Sequence, residues 1–255
     1  MVEGTYLVYQ LNNLVLTEKI FMDNKFRKPR IWSNKVLKEM AYLFEGNVGN
    51  ISGWKDNDKE GKKYRSYFKN ASSYFISNYK ADARGFQGNL ENEFFLDLEK
   101  DIDKSLIKNF DVVLNHTVLE HVFEVQNAFK NLCLLSKDIV IVIVPFLQEQ
   151  HGDYGDFWRF TPLALKKLFQ KNDKEMIYVN YNDSKGESIY IFAVGTSESS
   201  KWSKISNLKS NTAFIIPFSK NVLSTLIVPL LTGKLFIPKS LMLLKVTKEV
   251  HESFC

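Results

Sequence analysis

FDVVLNHTVLEHVFEVQNAFKNLCLLSKDIVIVIVPFLQEQHGDYGDFWRFTP, residues 110–162, decides how this chain is read. Two β-branched apolar runs, 111–114 and 138–144, flank a segment whose apolar residues Val122, Val125, Phe129 and Leu132 recur at helical spacing. Strand–helix–strand with a right-handed crossover makes the two strands parallel. Each strand runs into polar, reactive residues: Asn115 and His116 after the first, and 148–159 after the second. Ligands in open α/β sheets bind outside the carboxyl ends of the strands. The stretch therefore predicts the floor and wall of a site.

Upstream, 47–51 predicts a first strand and then a Gly-bearing turn, Asn50-Ile51-Ser52-Gly53-Trp54, where small residues let the backbone approach a ligand. Residues 60–71 predict a helix burying Tyr64, Tyr67 and Phe68, and 73–77 a second strand ending at Asn78. Residues 81–90 read as loop, and 93–96 as a short third strand ending at Asp97 and Leu98. Asp97 is also an N-cap candidate for a helix over 101–108. Further upstream, Ser33 or Asn34 caps a helix through 43 with Val36, Leu37, Met40 and Leu43 on one face. Residues 1–32 hold short apolar runs that suit a hairpin or a lid.

Downstream, Thr161-Pro162 marks the start of a helix over 163–170. Residues 176–181 and 188–194 alternate about a turn-rich 182–186, a hairpin signal. Residues 196–210 are polar and serine-rich, a linker or surface loop. The tail from 212 is apolar and basic, interrupted by Pro217, Pro229 and Pro238. It reads as helices packing on the domain or on a second copy, which allows a homodimer; contact with a membrane surface is the lesser alternative. The organisation expected is an N-terminal extension over 1–45, a main domain over 46–195, and a linker with an apolar extension over 196–255.

Composition narrows the class. The chain has 255 residues and a net charge of +5, from 34 Lys and Arg against 29 Asp and Glu. The densest basic run, Lys25, Arg27, Lys28 and Arg30, is short, which argues against nucleic acid as partner. Two cysteines, Cys133 and Cys255, supply neither a disulfide framework nor a thiolate metal site. Neither a basic n-region with an apolar h-region nor a run of ~18 apolar residues stands out, so the expected location is cytoplasmic.

LEHV at 119–122, VPF at 144–146, His151 and DFWRFTP at 156–162 together resemble class I S-adenosylmethionine-dependent methyltransferases. The resemblance is to a branch with LEHV after the fourth strand and a VPF…H…D-[FYW]-[YW]-R-[FY]-T segment after the fifth. Members of that branch often sit among genes for surface-polysaccharide modification. It covers residues 46–195. It implies an α/β Rossmann-like fold: a mostly parallel seven-stranded sheet with a terminal antiparallel hairpin and helices on both faces. It also implies S-adenosyl-L-methionine as cofactor, and O-methylation of a small polar acceptor such as a sugar, a nucleotide-sugar or a phosphorylated precursor.

The implied cofactor residues are Asn50, Ser52, Gly53, Asn78, Asp97, Leu98, Asn115 and His116. Asn50 and Asn78 stand where the family has acids, and the glycine motif is reduced. A methyltransferase-like binding or scaffold module without catalysis is therefore the alternative. His151 is the first candidate for the base and His121 the second, because an imidazole titrates near neutrality. Asp156, Trp158 and Arg159 are candidates for substrate binding; Arg159 could instead pair with Asp153 or Asp156, and Trp158 could be core. Glu120, His121 and His151 also offer a carboxylate and two nitrogens to a metal. Methyltransferases with LEH that hold an ion use Glu-x-x-Glu-His, and Thr117 stands at the first Glu, so no metal is assigned.

Overall fold

In the computed structural model, residues 16–20, 22–80, 85–86, 88–152, 155–184 and 186–208 are described. The predicted strand–helix–strand is present as β4 (Phe110–His116), α2 (Val125–Leu135) and β5 (Ser136–Leu147). β4 and β5 pair in parallel, with Val112 opposite Ile139 and His116 opposite Ile143. The β-branched runs are buried on both faces, as parallel strands require. Val113, Val140, Val142 and Val144 face one apolar cluster, while Val112, Leu114, Ile139, Ile141 and Ile143 face the other.

Five further strands complete the sheet: β1 (Glu45–Ile51), β2 (Asn70–Asn78), β3 (Glu93–Phe95), β6 (Glu175–Tyr181) and β7 (Ile189–Thr196). Their order is β3-β2-β1-β4-β5-β7-β6. β1 to β5 are mutually parallel, and β7 runs antiparallel between β5 and β6. The expected Rossmann-like fold and its terminal antiparallel hairpin are therefore present. α1 (Lys28–Ala41) packs on one face, and α2 with α3 (Pro162–Lys171) on the other. Thr161 caps α3 as predicted, its hydroxyl accepting from the Ala164 amide at 3.1 Å.

Four local expectations are corrected. α1 continues a helical run from upstream, with 16–20 and 22 helical and a π-helical turn at Asp23–Arg27 leading into it, so Ser33 and Asn34 lie inside it rather than at its cap. Both face inward: the Ser33 hydroxyl donates to the Arg30 carbonyl, and the Asn34 amide to the Asp58 carbonyl. Residues 60–71 form no helix, only a 3-10 turn at Tyr64–Tyr67. The Asp58 carboxylate there takes the Glu60 and Lys62 amides, and Gly61 is left-handed, which stops helix propagation; Tyr64, Tyr67 and Phe68 are buried as predicted. Residues 101–108 likewise hold only a 3-10 turn, Lys104–Leu106, capped by Asp103. Residues 196–210 are not all loop: Ser199–Trp202 and Ser203–Ser206 form turns, with Ile205 buried against the α1 face.

Half of the expected hairpin or lid over 1–32 lies outside the described residues; the described half, 16–20 and 22–32, is helical and forms no hairpin, and the apolar tail from 212 lies wholly outside. Among the described residues no helix is long and apolar enough to cross a membrane.

Gly195 on β7 lies under α3, where an added Cβ would sit 2.3 Å from the Phe169 ring. Phe169 is fully buried and stacks edge-on with Phe129 at 4.9 Å, so the ring has little room to retreat. Gly195→Ala is expected to cost about 1–3 kcal/mol. Urea denaturation should show a lower midpoint with an unchanged slope; an unchanged midpoint would mean that the ring gives way freely.

Candidate functional site

The strand order reverses between β1 and β4, so the crevice at their carboxyl ends is where an open α/β sheet takes its ligand. Asn50, Asn78 and Asn115, expected from the sequence to line this crevice, are at the carboxyl ends of β1, β2 and β4, and all three are buried. Their amides are engaged within the protein. Asn50 donates to Asp56 at 2.8 Å. Asn78 accepts from the Trp54 amide at 2.7 Å and donates to Glu93 at 2.7 Å. Asn115 donates to the Ile51 carbonyl at 3.1 Å, and its buried Oδ1 has no protein partner.

The turn after β1 is correspondingly tight. Ser52 and Trp54 are left-handed, and Ser52 and Gly53 donate their amides to Ser77. A Cβ on Gly53 would lie 2.4 Å from the Asn50 amide. Glycine is needed at 53 because the space beside it is taken by Asn50. Leu98 is buried, and Asp97 accepts the Glu99 amide at 3.0 Å, organising its own turn.

The end of β4 meets residues from the N-terminal extension that sequence reasoning missed. His116 is buried against Tyr64, and its Nε2 lies 2.9 Å from the Ser33 hydroxyl. Arg30 donates to Tyr64 at 3.1 Å and to Thr117 at 2.8 Å. The only hint was two polar residues, Ser33 and Asn34, on a helix face otherwise apolar; Arg30 itself read as part of a solvated basic run.

Beyond β4 the chain makes a 3-10 turn, Leu119–His121, so His121 ends this turn rather than starting α2. The segment after β5 folds over it. The Glu120 carbonyl accepts the Phe157 amide at 2.7 Å and the Trp158 amide at 3.3 Å. His121 Nδ1 meets the Gly155 carbonyl at 2.5 Å. The His121 and His151 rings consequently meet edge to face, 5.2 Å between centroids, and Phe26 touches His151 from the other side at 5.4 Å. Glu120 is fully buried beneath them, with no protein donor on either oxygen, and His121 Nε2 stands 3.8 Å from Oε1. Glu120, His121 and His151 each offer a ligand atom within 4.8 Å of the others. The two histidines named from sequence are therefore brought together.

Asp156 and Arg159 are tied to each other. The Arg159 guanidinium makes five hydrogen bonds: two to the Asp156 carboxylate and three to the carbonyls of Gln148, Glu149 and Trp158. Asp156 also accepts the His151 amide at 2.6 Å. Both side chains hold the loop in shape, the pairing of Arg159 with Asp156 that the sequence offered beside substrate binding: every N–H of the fork is already used within the loop. Trp158 is pinned by its indole N–H to the Val122 and Phe123 carbonyls yet stays 38% exposed. With Phe123 and Phe157 it forms an aromatic shelf beside the histidines. A groove of about 940 Å³ runs between α2 and α3 toward Lys108 and Lys174 and includes none of the three clustered side chains.

Burial governs the electrostatics. It pushes the Glu120 carboxyl up to about 8, only partly opposed by its own backbone, Arg30 and Arg159. It lowers the His121 and His151 imidazoles below their ordinary value, and His116 well below, there with the help of Arg30. The imidazoles are accordingly neutral at neutral pH. Burial alone would raise Asp156, but the bonds from Arg159 and the His151 amide hold its carboxyl below the usual range.

No family model and no characterised relative matches this sequence. Solved structures with a similar fold include three methyltransferase entities. A candidate methyltransferase of Bacillus halodurans is 9% identical, with 64% of this chain and 98% of that one covered and a TM-score of 0.49. The 1,6-didemethyltoxoflavin-N1-methyltransferase of Burkholderia thailandensis, with substrate and S-adenosylhomocysteine bound, is 10% identical, with 74% and 89% covered and a TM-score of 0.46. The magnesium protoporphyrin IX methyltransferase of Synechocystis with bound S-adenosylmethionine is 11% identical, with 65% and 77% covered and a TM-score of 0.42. At such distances these likenesses say nothing about substrate; the fold stands on strand order and register.

The Asp156–Arg159 clasp makes a stability prediction with a definite sign. A carboxyl whose pKa is depressed by folding stabilises the protein above its unfolded value and loses that contribution as pH falls through the folded one. Asp156→Asn is expected to cost about 2–4 kcal/mol at pH 7, since it strands Arg159 in a partly buried site. In urea denaturation the gap between variant and parent should hold down to about pH 4 and close below it. A gap that stays open at low pH would show that the carboxylate is not its source.

Proposed function

We propose that the protein is an S-adenosylmethionine-dependent O-methyltransferase acting on a small polar acceptor. The observation that carries the reading is the pair of neutral, partly buried imidazoles, His121 and His151, 5.2 Å apart beside the β1/β4 switch point. The strand order and the LEHV…DFWRFTP segment support it.

The fit to the cofactor is partial. Asn115 leaves a buried Oδ1 without a protein donor, the kind of atom that meets a ligand N–H. The backbone of Ser52 and Gly53, with Leu98 and Asp97, would line the remaining wall. Asn78 departs from the pattern, because its amide already joins Trp54 to Glu93. When bound, S-adenosylmethionine supplies an electrophilic methyl group.

The chain's own residues do the rest. His151 is held by its neighbours and accepts the acceptor's hydroxyl proton at Nε2, while Nδ1 stays toward the Glu149 carbonyl, 3.3 Å away. His121 orients that ring. The shelf of Phe123, Phe157 and Trp158 gives a sugar or nucleoside ring a face to stack on and keeps water from the reacting oxygen. A sugar, nucleotide-sugar or phosphorylated precursor of a surface polysaccharide suits this combination, in a cytoplasmic setting.

A second reading, a methyltransferase-like module without catalysis, is favoured by one specific observation: the turn after β1 is bonded to the end of β2 through Asn78, where a ribose-binding acid would otherwise stand. Calorimetry separates the two. The first reading expects S-adenosylhomocysteine to bind one per chain with a Kd on the order of 1–100 μM. An absence of heat at about 1 mM ligand would sink it and leave the second.

A further inference from the structure

We propose that Glu120, His121 and His151 form a binding site for one divalent transition-metal cation of the zinc and cobalt type. The carboxylate and the two imidazoles come from the turn after β4 and the loop after β5, and their ligand atoms lie within 4.8 Å of one another. Such a cluster of acids and histidines is common without an ion, so its surroundings decide. Glu120 is 0% exposed and neither oxygen meets a protein donor, although buried carboxylates are normally bonded or paired. Its nearest titratable neighbour at this site is the His121 imidazole, at 3.8 Å, which its own burial keeps neutral. A cation placed between them supplies the missing counter-charge.

The histidines are oriented as metal ligands usually are. A ligating imidazole typically donates its second N–H to a carbonyl or carboxylate, which fixes the tautomer and aims the other nitrogen at the ion. His121 directs Nδ1 to the Gly155 carbonyl at 2.5 Å and so turns Nε2 toward Glu120. His151 directs Nδ1 to the Glu149 carbonyl at 3.3 Å, with the Asp156 carboxylate at 3.4 Å. The partners of His151 belong to the clasp built on Arg159, and Gly155 lies in the same loop, so this loop supplies one ligand and positions the other.

Two imidazoles and one carboxylate suit zinc, cobalt, nickel or iron, whereas magnesium and calcium prefer oxygen throughout. Three protein ligands leave a position open, as catalytic zinc sites do. The ligand atoms of a tetrahedral shell lie ~3.3 Å apart, given metal–ligand bonds of about 2 Å. Binding therefore draws the loop after β5 inward toward Glu120. The site uses the same imidazoles as the proposed methyl-transfer centre, so a bound ion takes the His151 nitrogen that would otherwise accept the acceptor's proton: ion and proton are alternative occupants of it, and metal binding is tested without methyl transfer.

The full chain, freed of metal by a chelator and dialysed, is titrated with Co²⁺ and separately with Zn²⁺ and Mg²⁺, with calorimetry and the Co²⁺ visible spectrum as readouts. One Co²⁺ per chain is expected, with visible bands of a low-coordinate nitrogen–oxygen site, displacement by Zn²⁺, and no competition from equimolar Mg²⁺. His151→Ala and Glu120→Gln should each weaken Co²⁺ binding at least roughly 100-fold, beyond what loss of an outer-shell partner costs. If Glu120→Gln does not fold, His151→Ala decides, since its side chain lies in a surface loop. A parent that binds no Co²⁺, or a His151→Ala variant that binds it as tightly, overturns the proposal. S-adenosylhomocysteine binding without metal binding would remove this inference alone, and metal binding without it would remove only the methyltransferase reading.

Discussion

Burial of β4 on both faces is the constraint on which the remainder of the structure rests. A strand paired in parallel on both edges, to β1 and to β5, is apolar through its buried middle, Val112 to Leu114, and keeps polar residues to its two ends. Its reactive residues must therefore collect where it leaves the sheet. Asn115 and His116 stand at that exit, and Leu119–His121 follows in a single turn. Since the strand order reverses beside β4, the same exit borders the crevice that α/β sheets use for ligands.

The loop after β5 then completes the site by closing on this turn. Arg159 is the fixed point: its planar fork accommodates one carboxylate and three carbonyls at once, which a lysine could not do. The loop's backbone in turn bonds the Glu120 carbonyl, which leaves the Glu120 side chain inside and without a donor. A buried carboxyl of this kind costs stability. Proteins usually accept such local violations where function needs them. Here it lies under two imidazoles kept neutral by the same burial.

The β1 side of the crevice follows a different logic. Asp56 and Asp58 satisfy backbone and tyrosine donors, and the chain from 52 to 63 turns by left-handed residues instead of forming a helix. Asn78 is drawn into this arrangement, and Gly53 makes room for Asn50. The two halves of the crevice thus differ: the β4–β5 half keeps orphaned polar groups, and the β1–β2 half has largely satisfied its own.

The amino-acid sequence by itself determined the seven strands and the helices after β4 and after Thr161, because the continuous apolar runs Val112 to Leu114 and Ile139 to Val144, which parallel pairing buries on both faces, and the helical spacing of Val125, Phe129 and Leu132 are local patterns. It also determined the hairpin of β6 and β7, the Thr161 cap and the two histidines worth watching. Only the tertiary structure decided what each polar side chain does. Arg30 looked like surface charge and is buried, bonded to Tyr64 and Thr117; Arg159 read equally as a substrate ligand or as a partner of a loop aspartate, and it is paired with Asp156. Residues 60–71 carried helical apolar spacing, yet the Asp58 carboxylate captured the amides a helix would have used. Helical or alternating spacing reports which face a residue turns to the core, a property of a few neighbours in the chain. The partner of a charge, and the nearness of Glu120, His121 and His151, depend on segments some thirty residues apart meeting at one edge of the sheet, and no local pattern encodes that.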